Sequence, residues 1–485
     1  MFKLRPFVSA VLITSLLSSP SLYSAQTDRN KLPEIGAAGA GVLSIEKERQ
    51  IGDIMMRQVR ATQPLLNDPV LTEYINHLGN HMVKNAKDVN YSFKFFLINN
   101  QELNAFAFFG GHIGVHSGLI TTADTESELA SVIAHEISHV TQRHLARHME
   151  ARSQSQSLTM AGMVSGILLS LINPTVGMAA LSTSMAASQQ ASINYTRGNE
   201  KEADRVGIEL LYHSGFDPQG APNFFGKMAE RFRYKSLPPA MLLTHPLSES
   251  RISDARVRAL NFPNVRLPPS LDFELTKARI TARYENDPEY NIRLFEKQIE
   301  DNSFALIEAA QYGLAVAHFE NKDYTKAKEV LAKLLKNDPN NLFYADVLTD
   351  IAIQTKDYEA GIDMLIRLNK LMPNNQVVTL NYANILQESG ELEQAQELLQ
   401  DFLLVRPGSF IAYDLLTTIF RKQNKMAQMH LAKGEVIALH GGFSRAVDEL
   451  QTAYTKTKES QSLLRKRIKA RILQLQAQEE RIKRL

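Results

Sequence analysis

The 485-residue sequence contains no cysteine, so it can form no disulfide, carries no lipid-modified cysteine and offers a metal no thiolate. Any metal must be held by His, Asp or Glu. An excess of charge is also missing. The 54 Lys and Arg residues against 52 Asp and Glu leave +2, which makes no field for attracting nucleic acid. Apolar runs long enough to span a bilayer, roughly 20 residues, are lacking as well. Residues 7–17 are too short, and so are the two apolar segments of 158–188 on either side of Asn173 and Pro174. A helical hairpin over the active-site cleft is the expectation for 158–188.

Hydrophobic residues make up 44% and charged residues 22%, a balance typical of globular chains and long enough here for more than one core. Lys3 and Arg5 precede the first apolar run and small residues up to Ser24 and Ala25 follow it, the pattern of a cleaved secretory signal over 1–25. A first domain is expected over 26–262, closed by Asn261-Phe262-Pro263-Asn264 and Pro268-Pro269, with a helical linker over 263–305. Pro339, Pro373 and Pro407 then recur at a period of 34, in register with Ala327, Gly361 and Ala395 and with Tyr324, Tyr358 and Leu392. Small residues let paired helices pack closely and Pro stops the second one, so 306–457 resembles tetratricopeptide repeats. The register weakens after Gly408, leaving room for one or two degenerate repeats over 412–457. At 458–485, Leu464, Ile468, Ile472 and Leu475 share one face of a basic helix. Such a helix can touch membrane surfaces or acidic partners. Capping the repeat stack is its expected role.

The chemistry lies in residues 121–150. Thr125 and Glu128 form a capping-box signature, and Leu129, Val132, Ile133, Ile137 and Val140 supply a buried helical face. His135 and His139 are four apart, about 40° around a helix, so both imidazoles can reach one ion. Glu136 is rotated by about 100° from His135, beside the ion, where a general base for water belongs. The metzincin pattern fails, because Gln142 and Leu145 stand where its Gly and third His would be. If the helix continues, His144 and His148 point away and sit at the surface. The better source of a third ligand is Glu200, with Asp204 one turn later to accept the outer N–H of a ligand His. Glu202 falls on another face and is expected in solvent.

With Asn104-Ala-Phe-Ala, Gly110-Gly111, HEISH, Glu200 to Asp204 and Thr244-His245-Pro246, the chain resembles the gluzincin metallopeptidases related to HtpX and the CAAX prenyl protease. The fold so implied is mainly α: an α+β gluzincin domain with a small sheet, then an all-α tetratricopeptide-repeat solenoid. The resemblance implies one Zn2+ per chain, Glu136 as the catalytic residue and an edge strand at Asn104-Ala-Phe-Ala that pairs with extended substrate. It also implies that His245 can close the site as a fourth ligand and hold the enzyme latent. Tyr195, Arg197 and His245 are candidates for stabilising the oxyanion. Members with a signal sequence ahead and repeats behind act in the periplasm, in quality control and assembly of outer-membrane β-barrel proteins. Their substrates are stalled or misfolded outer-membrane proteins, and their repeats dock on the β-barrel assembly machinery. The alternative is a chaperone or adaptor that works through the repeat groove around a structural metal.

Overall fold

A computed structural model describes residues 43–153, 197–233 and 239–483. The signal segment, Tyr195 and the apolar segments of 158–188 lie outside the described residues. Among those residues, no helix is long and apolar enough to cross a membrane.

The chain enters through α1 (Ile45–Thr62) and α2 (Pro69–Val83), followed by β1 (Lys94–Ile98), β2 (Ala105–Phe108) and β3 (His112–His116). The three-stranded sheet has the order β1-β3-β2, with β1 parallel and β2 antiparallel to β3. This leaves the Asn104-Ala-Phe-Ala strand, β2, at an edge. Gly110 and Gly111 turn the β2–β3 hairpin at φ 77° and 79°, backbone that suits glycine. After the short α3 (Ser117–Thr122) comes α4 (Glu126–Thr141), buried along almost its whole length. The Thr125 hydroxyl accepts from Glu128 N at 3.2 Å, while the Glu128 carboxylate accepts from Asp124 N at 2.8 Å, one residue earlier than a standard capping box.

The α4 helix stops at Gln142, and Arg143 takes a left-handed φ of 52° before α5 (His144–Ser153) begins. Such a conformation costs about 1–3 kcal/mol in a residue with a Cβ. It is fixed by burial of the Arg143 guanidinium, which donates to the Glu48 carboxylate and, at 2.6 Å, to Leu43 O. The remaining elements of the first domain are α6 (Arg197–His213), α7 (Gly220–Phe232), α8 (Ala240–Thr244) and α9 (Glu249–Leu260).

The linker forms a helical pair, α10 (Leu271–Tyr284) and α11 (Pro288–Glu300). The repeats follow as α12 (Ile307–Glu320) with α13 (Tyr324–Asn337), α14 (Leu342–Thr355) with α15 (Tyr358–Leu371), and α16 (Gln376–Ser389) with α17 (Leu392–Val405). Tyr324, Tyr358 and Leu392 each open a second helix, and each marker proline lies two residues past its end. The period persists beyond the point where its residues become unrecognisable. Met426 opens α19 (Met426–Leu439), the partner of α18 (Phe410–Lys422), while Met429 and Gly441 replace the small residue and the proline. A last pair consists of α20 (Phe443–Lys456) and α21 (Ser462–Lys483), with Ile468 and Leu475 fully buried and Leu464 and Ile472 packed beside them.

The peptidase domain and the first repeats share one apolar core running from Leu66 to Val377. A charged cluster is buried in it. Arg279 on α10 donates to Asp68, the N-cap of α2, at 2.6 Å, to the Tyr312 hydroxyl at 2.8 Å, and to Asp346 on α14. Removing one partner of such a cluster strands the opposite charges away from water. Arg279→Ala is therefore expected to destabilise the protein by about 3–5 kcal/mol, read as a shift in the urea unfolding midpoint; an unchanged midpoint would refute the clamp.

Candidate functional site

Two helices build the site. On α4, His135, Glu136 and His139 are 5%, 0% and 3% exposed, so none of them is a solvated surface group. On α6, Glu200, Ala203, Asp204, Gly207, Ile208 and Leu211 form one buried stripe, polar at its start and apolar beyond. The absent side chain of Gly207 sets the approach: a Cβ there would lie 3.2 Å from His135 N. Glu200 and Asp204 are thereby brought against the imidazoles. His245, the residue that ends α8, closes the group from the other side at 2% exposure.

His135, His139, Glu200 and His245 each offer one ligand atom, all within 4.8 Å of one another. The two Nε2 atoms of His135 and His139 are 2.9 Å apart, and they lie 3.4 and 3.5 Å from the Glu200 carboxylate oxygens. Two ligands of a tetrahedral zinc ion would be about 3.3 Å apart. The donor set fits such an ion. His245 Nδ1 is 3.1 Å from Glu200 Oε1 and its Nε2 is 3.5 Å from Glu136 Oε1, so this ring stands between the third carboxylate and the glutamate.

The surroundings fix which imidazole nitrogens carry hydrogen. His135 Nδ1 is 3.0 Å from Asp204 Oδ1, an acceptor, which leaves its Nε2 with a bare lone pair. On the other side, His144 Nε2 is 3.0 Å from Glu202 Oε2, and His144 Nδ1 is 2.9 Å from His139 Nδ1. A neutral His144 that donates to Glu202 must accept from His139, so His139 Nε2 is bare as well. With both rings neutral, two lone pairs would face each other at 2.9 Å, an arrangement that a metal ion or a shared proton relieves. The electrostatics favour a positive charge here, whether a metal ion or a proton on His135. Burial opposes a proton on His135, yet Asp204 and Glu200 raise its pKa to about 10. Burial and the neighbouring His135 hold His139 well below the ordinary histidine range. Burial also works against ionising Glu200, but His245 and His135 hold its pKa well below normal. Burial raises Glu136, against the pull of His245 and His135, and its carboxyl faces the backbone of Ala107 on β2.

The sequence expectation for His144 and Glu202 is overturned. His144 is wholly buried, and Glu202, still partly exposed, pairs both with it and with Arg147, at 2.9 Å. The expectation assumed an unbroken helix. The turn at Arg143 redirects the chain and brings His144 behind His139. His148 is half-buried, and Arg197 is exposed at the start of α6.

Arg251 on α9 is a further site residue that sequence reasoning missed. Its guanidinium grips Asp204 through Nε at 2.7 Å and Nη2 at 2.8 Å, reaches Glu200 at 2.8 Å and donates to Pro246 O at 2.8 Å. One buried cation thus orients the Glu200 carboxylate, the Asp204 carboxylate behind His135 and the His245 loop. The only sequence signal was its position six residues after His245.

Residues 69–259 match the model of Peptidase family M48, and 309–341 and 352–419 match models of the tetratricopeptide repeat. The chain is 41% identical to the putative beta-barrel assembly-enhancing protease of Vibrio cholerae, over 98% of both chains. It is also 41% identical to the beta-barrel assembly-enhancing protease of Yersinia pestis, over 98% of this chain and 99% of that one. With the protein of the same name from Escherichia coli K12 the identity is 40%, over 99% of this chain and 98% of that one.

Outer partners of ligand histidines set metal affinity, typically by about 10–100-fold. His144→Ala is expected to weaken metal binding by that factor in chelator competition, with Glu202→Gln weakening it less. Unaltered affinity in both variants would show that His144 merely fills space.

Proposed function

Because the chain belongs to Peptidase family M48, with a tetratricopeptide-repeat domain behind the peptidase domain, we propose that it is a zinc-dependent endopeptidase of the periplasm. It acts in quality control and assembly of outer-membrane β-barrel proteins. The observation that supports the metal chemistry is the convergence of His135, His139 and Glu200, whose ligand atoms lie within 4.8 Å of one another with the two Nε2 atoms face to face. His135, His139 and Glu200 are the metal ligands in this reading. Asp204 holds His135 in its tautomer and Arg251 holds Asp204. Zinc bound there would act as a Lewis acid on water and on the scissile carbonyl.

Glu136 has the position and environment of a general base. Its burial raises its pKa toward the range in which a carboxylate can take a proton from the attacking water and return it to the leaving amine. The edge position of β2, whose Ala107 faces Glu136, supports the capture of extended substrate through main-chain hydrogen bonds. His245, between Glu200 and Glu136, occupies the space that the attacking water needs. In this reading it is a fourth ligand that holds the enzyme latent until the α8 loop moves. The names of the relatives support outer-membrane β-barrel proteins as substrates, and the repeats support docking on the assembly machinery. The repeats also support a chaperone-like activity that needs no proteolysis.

Glu136→Gln is expected to abolish cleavage of a model protein substrate while retaining the metal, and any assembly function it keeps belongs to binding. Glu200→Ala is expected to lose metal by elemental analysis; full occupancy would sink the ligand assignment. His245→Ala is expected to raise peptidase activity, and no gain would refute the latent state.

A further inference from the structure

Outside the His135–Glu200 group, the last repeats return to the first described helix. Arg60 on α1 donates to Leu439 O, at the end of α19, at 3.2 Å, and the Arg57 guanidinium lies 5.1 Å over the Phe443 ring that opens α20. Between these elements lies a cavity of about 180 Å³, lined by Asp53, Arg57, Arg60, Lys94, His112 and Arg471.

The charges around it do not balance. Arg471 is neutralised by a two-pronged pair with Glu435, at 2.7 and 2.6 Å. Among the described residues, Asp53, 3.8 Å from Lys94, is the one carboxylate lining the cavity opposite Arg57, Arg60 and Lys94, so two positive charges are left over there. Burial lowers the pKa of Arg57 and of Arg60. Asp53 raises both, while Arg471 lowers Arg57 further and Arg57 lowers Arg60. Holding the peptidase domain to the repeats does not explain the excess, since one carbonyl and one ring face satisfy it without a cavity.

A buried group adds a second signal. His112 is 2% exposed and stacks on Phe108, and its Nδ1 donates to Phe109 O at 3.0 Å. Its Nε2 therefore presents a lone pair, wholly buried and without a hydrogen-bond partner, 3.9 Å from the Asp53 carboxylate. Burial keeps the ring neutral at a pKa of about 4. The cavity thus combines an excess of positive charge with one buried acceptor among its lining residues.

We propose that this cavity binds a phosphate group in its dianionic, proton-bearing form. Two negative charges match the two positive charges in excess, whereas a single peptide carboxylate would leave one behind. Arginine forks suit tetrahedral oxyanions, and the one O–H of monohydrogen phosphate supplies the donor that His112 Nε2 lacks. Sulfate has the same shape and charge but no such hydrogen. Since α1 supplies one wall and α19 to α21 the other, bound phosphate would join the peptidase domain to the end of the repeat stack.

Titration calorimetry of the full metal-loaded chain with inorganic phosphate tests this. One saturable site per chain is expected, with sulfate binding several-fold more weakly. Losing one charge-assisted hydrogen bond is expected to weaken phosphate binding about tenfold in Arg57→Gln and in Lys94→Gln. The Lys94 side chain is 59% exposed, so its variant keeps the fold even if the Arg57 variant does not. Co-sedimentation with phosphatidic acid vesicles, against phosphatidylcholine alone, distinguishes the sources. Retention that is lost in Lys94→Gln identifies a lipid phosphate, and calorimetric binding without retention identifies free phosphate. No saturable heat, or equal affinity in wild type and Lys94→Gln, overturns the site. Equal affinity for sulfate overturns the role of His112.

Discussion

Two imidazole nitrogens held face to face at 2.9 Å organise the site of the peptidase domain. The hydrogens are drawn to the far sides of the rings by Asp204 behind His135 and by the His144–Glu202 pair behind His139. Each of those partners is fixed in turn: Arg251 grips Asp204 with two donors, and Arg147 holds Glu202. The metal chemistry therefore depends on a shell of buried charges gathered from α4, α5, α6 and α9, which is satisfied only when all four are packed.

The break between α4 and α5 is where fold and site meet. Neither glycine nor proline marks it. Arg143 adopts a left-handed backbone because its guanidinium, anchored on Glu48 and Leu43 O at the start of the described chain, over-determines that geometry. Tyr91 adds a hydrogen bond to Glu48 at 2.6 Å, which ties the same knot to the approach to β1. A contact about 95 residues away in sequence thus decides where His144 points.

The repeat domain is not an independent appendage. Its first helices share an apolar core with the peptidase, and Arg279 joins Asp68 to Asp346 across the junction. Its later helices touch the peptidase again: Asn375 and Gln376 reach α2, and α19 and α20 meet α1. A partner bound by the repeats would push on a body continuous with the catalytic helices. The loop carrying His245 is linked to the same body through Arg251, which bonds to Pro246 O.

Local regularities made much of this legible in the sequence. The spacing of His135, Glu136 and His139 follows from the turn of a helix, Glu200 and Asp204 from the same turn on a second helix, and the first three repeats from the recurrence of small residues and proline. The fourth repeat was legible only as room for a degenerate copy, because Met429 and Gly441 keep the geometry with different side chains. His144, Glu202 and Arg251 escaped for another reason. Helical period says which side of a helix a residue occupies, but not where the helix ends under a distant ion pair, nor which carboxylates a buried arginine will reach. The sequence by itself determined the residue types of the candidate metal site and the repeat period, because both are set within one turn or one hairpin. Only the tertiary structure decided their hydrogen-bond partners and the closing position of His245, because these depend on helices that meet through burial of charges far apart in the chain.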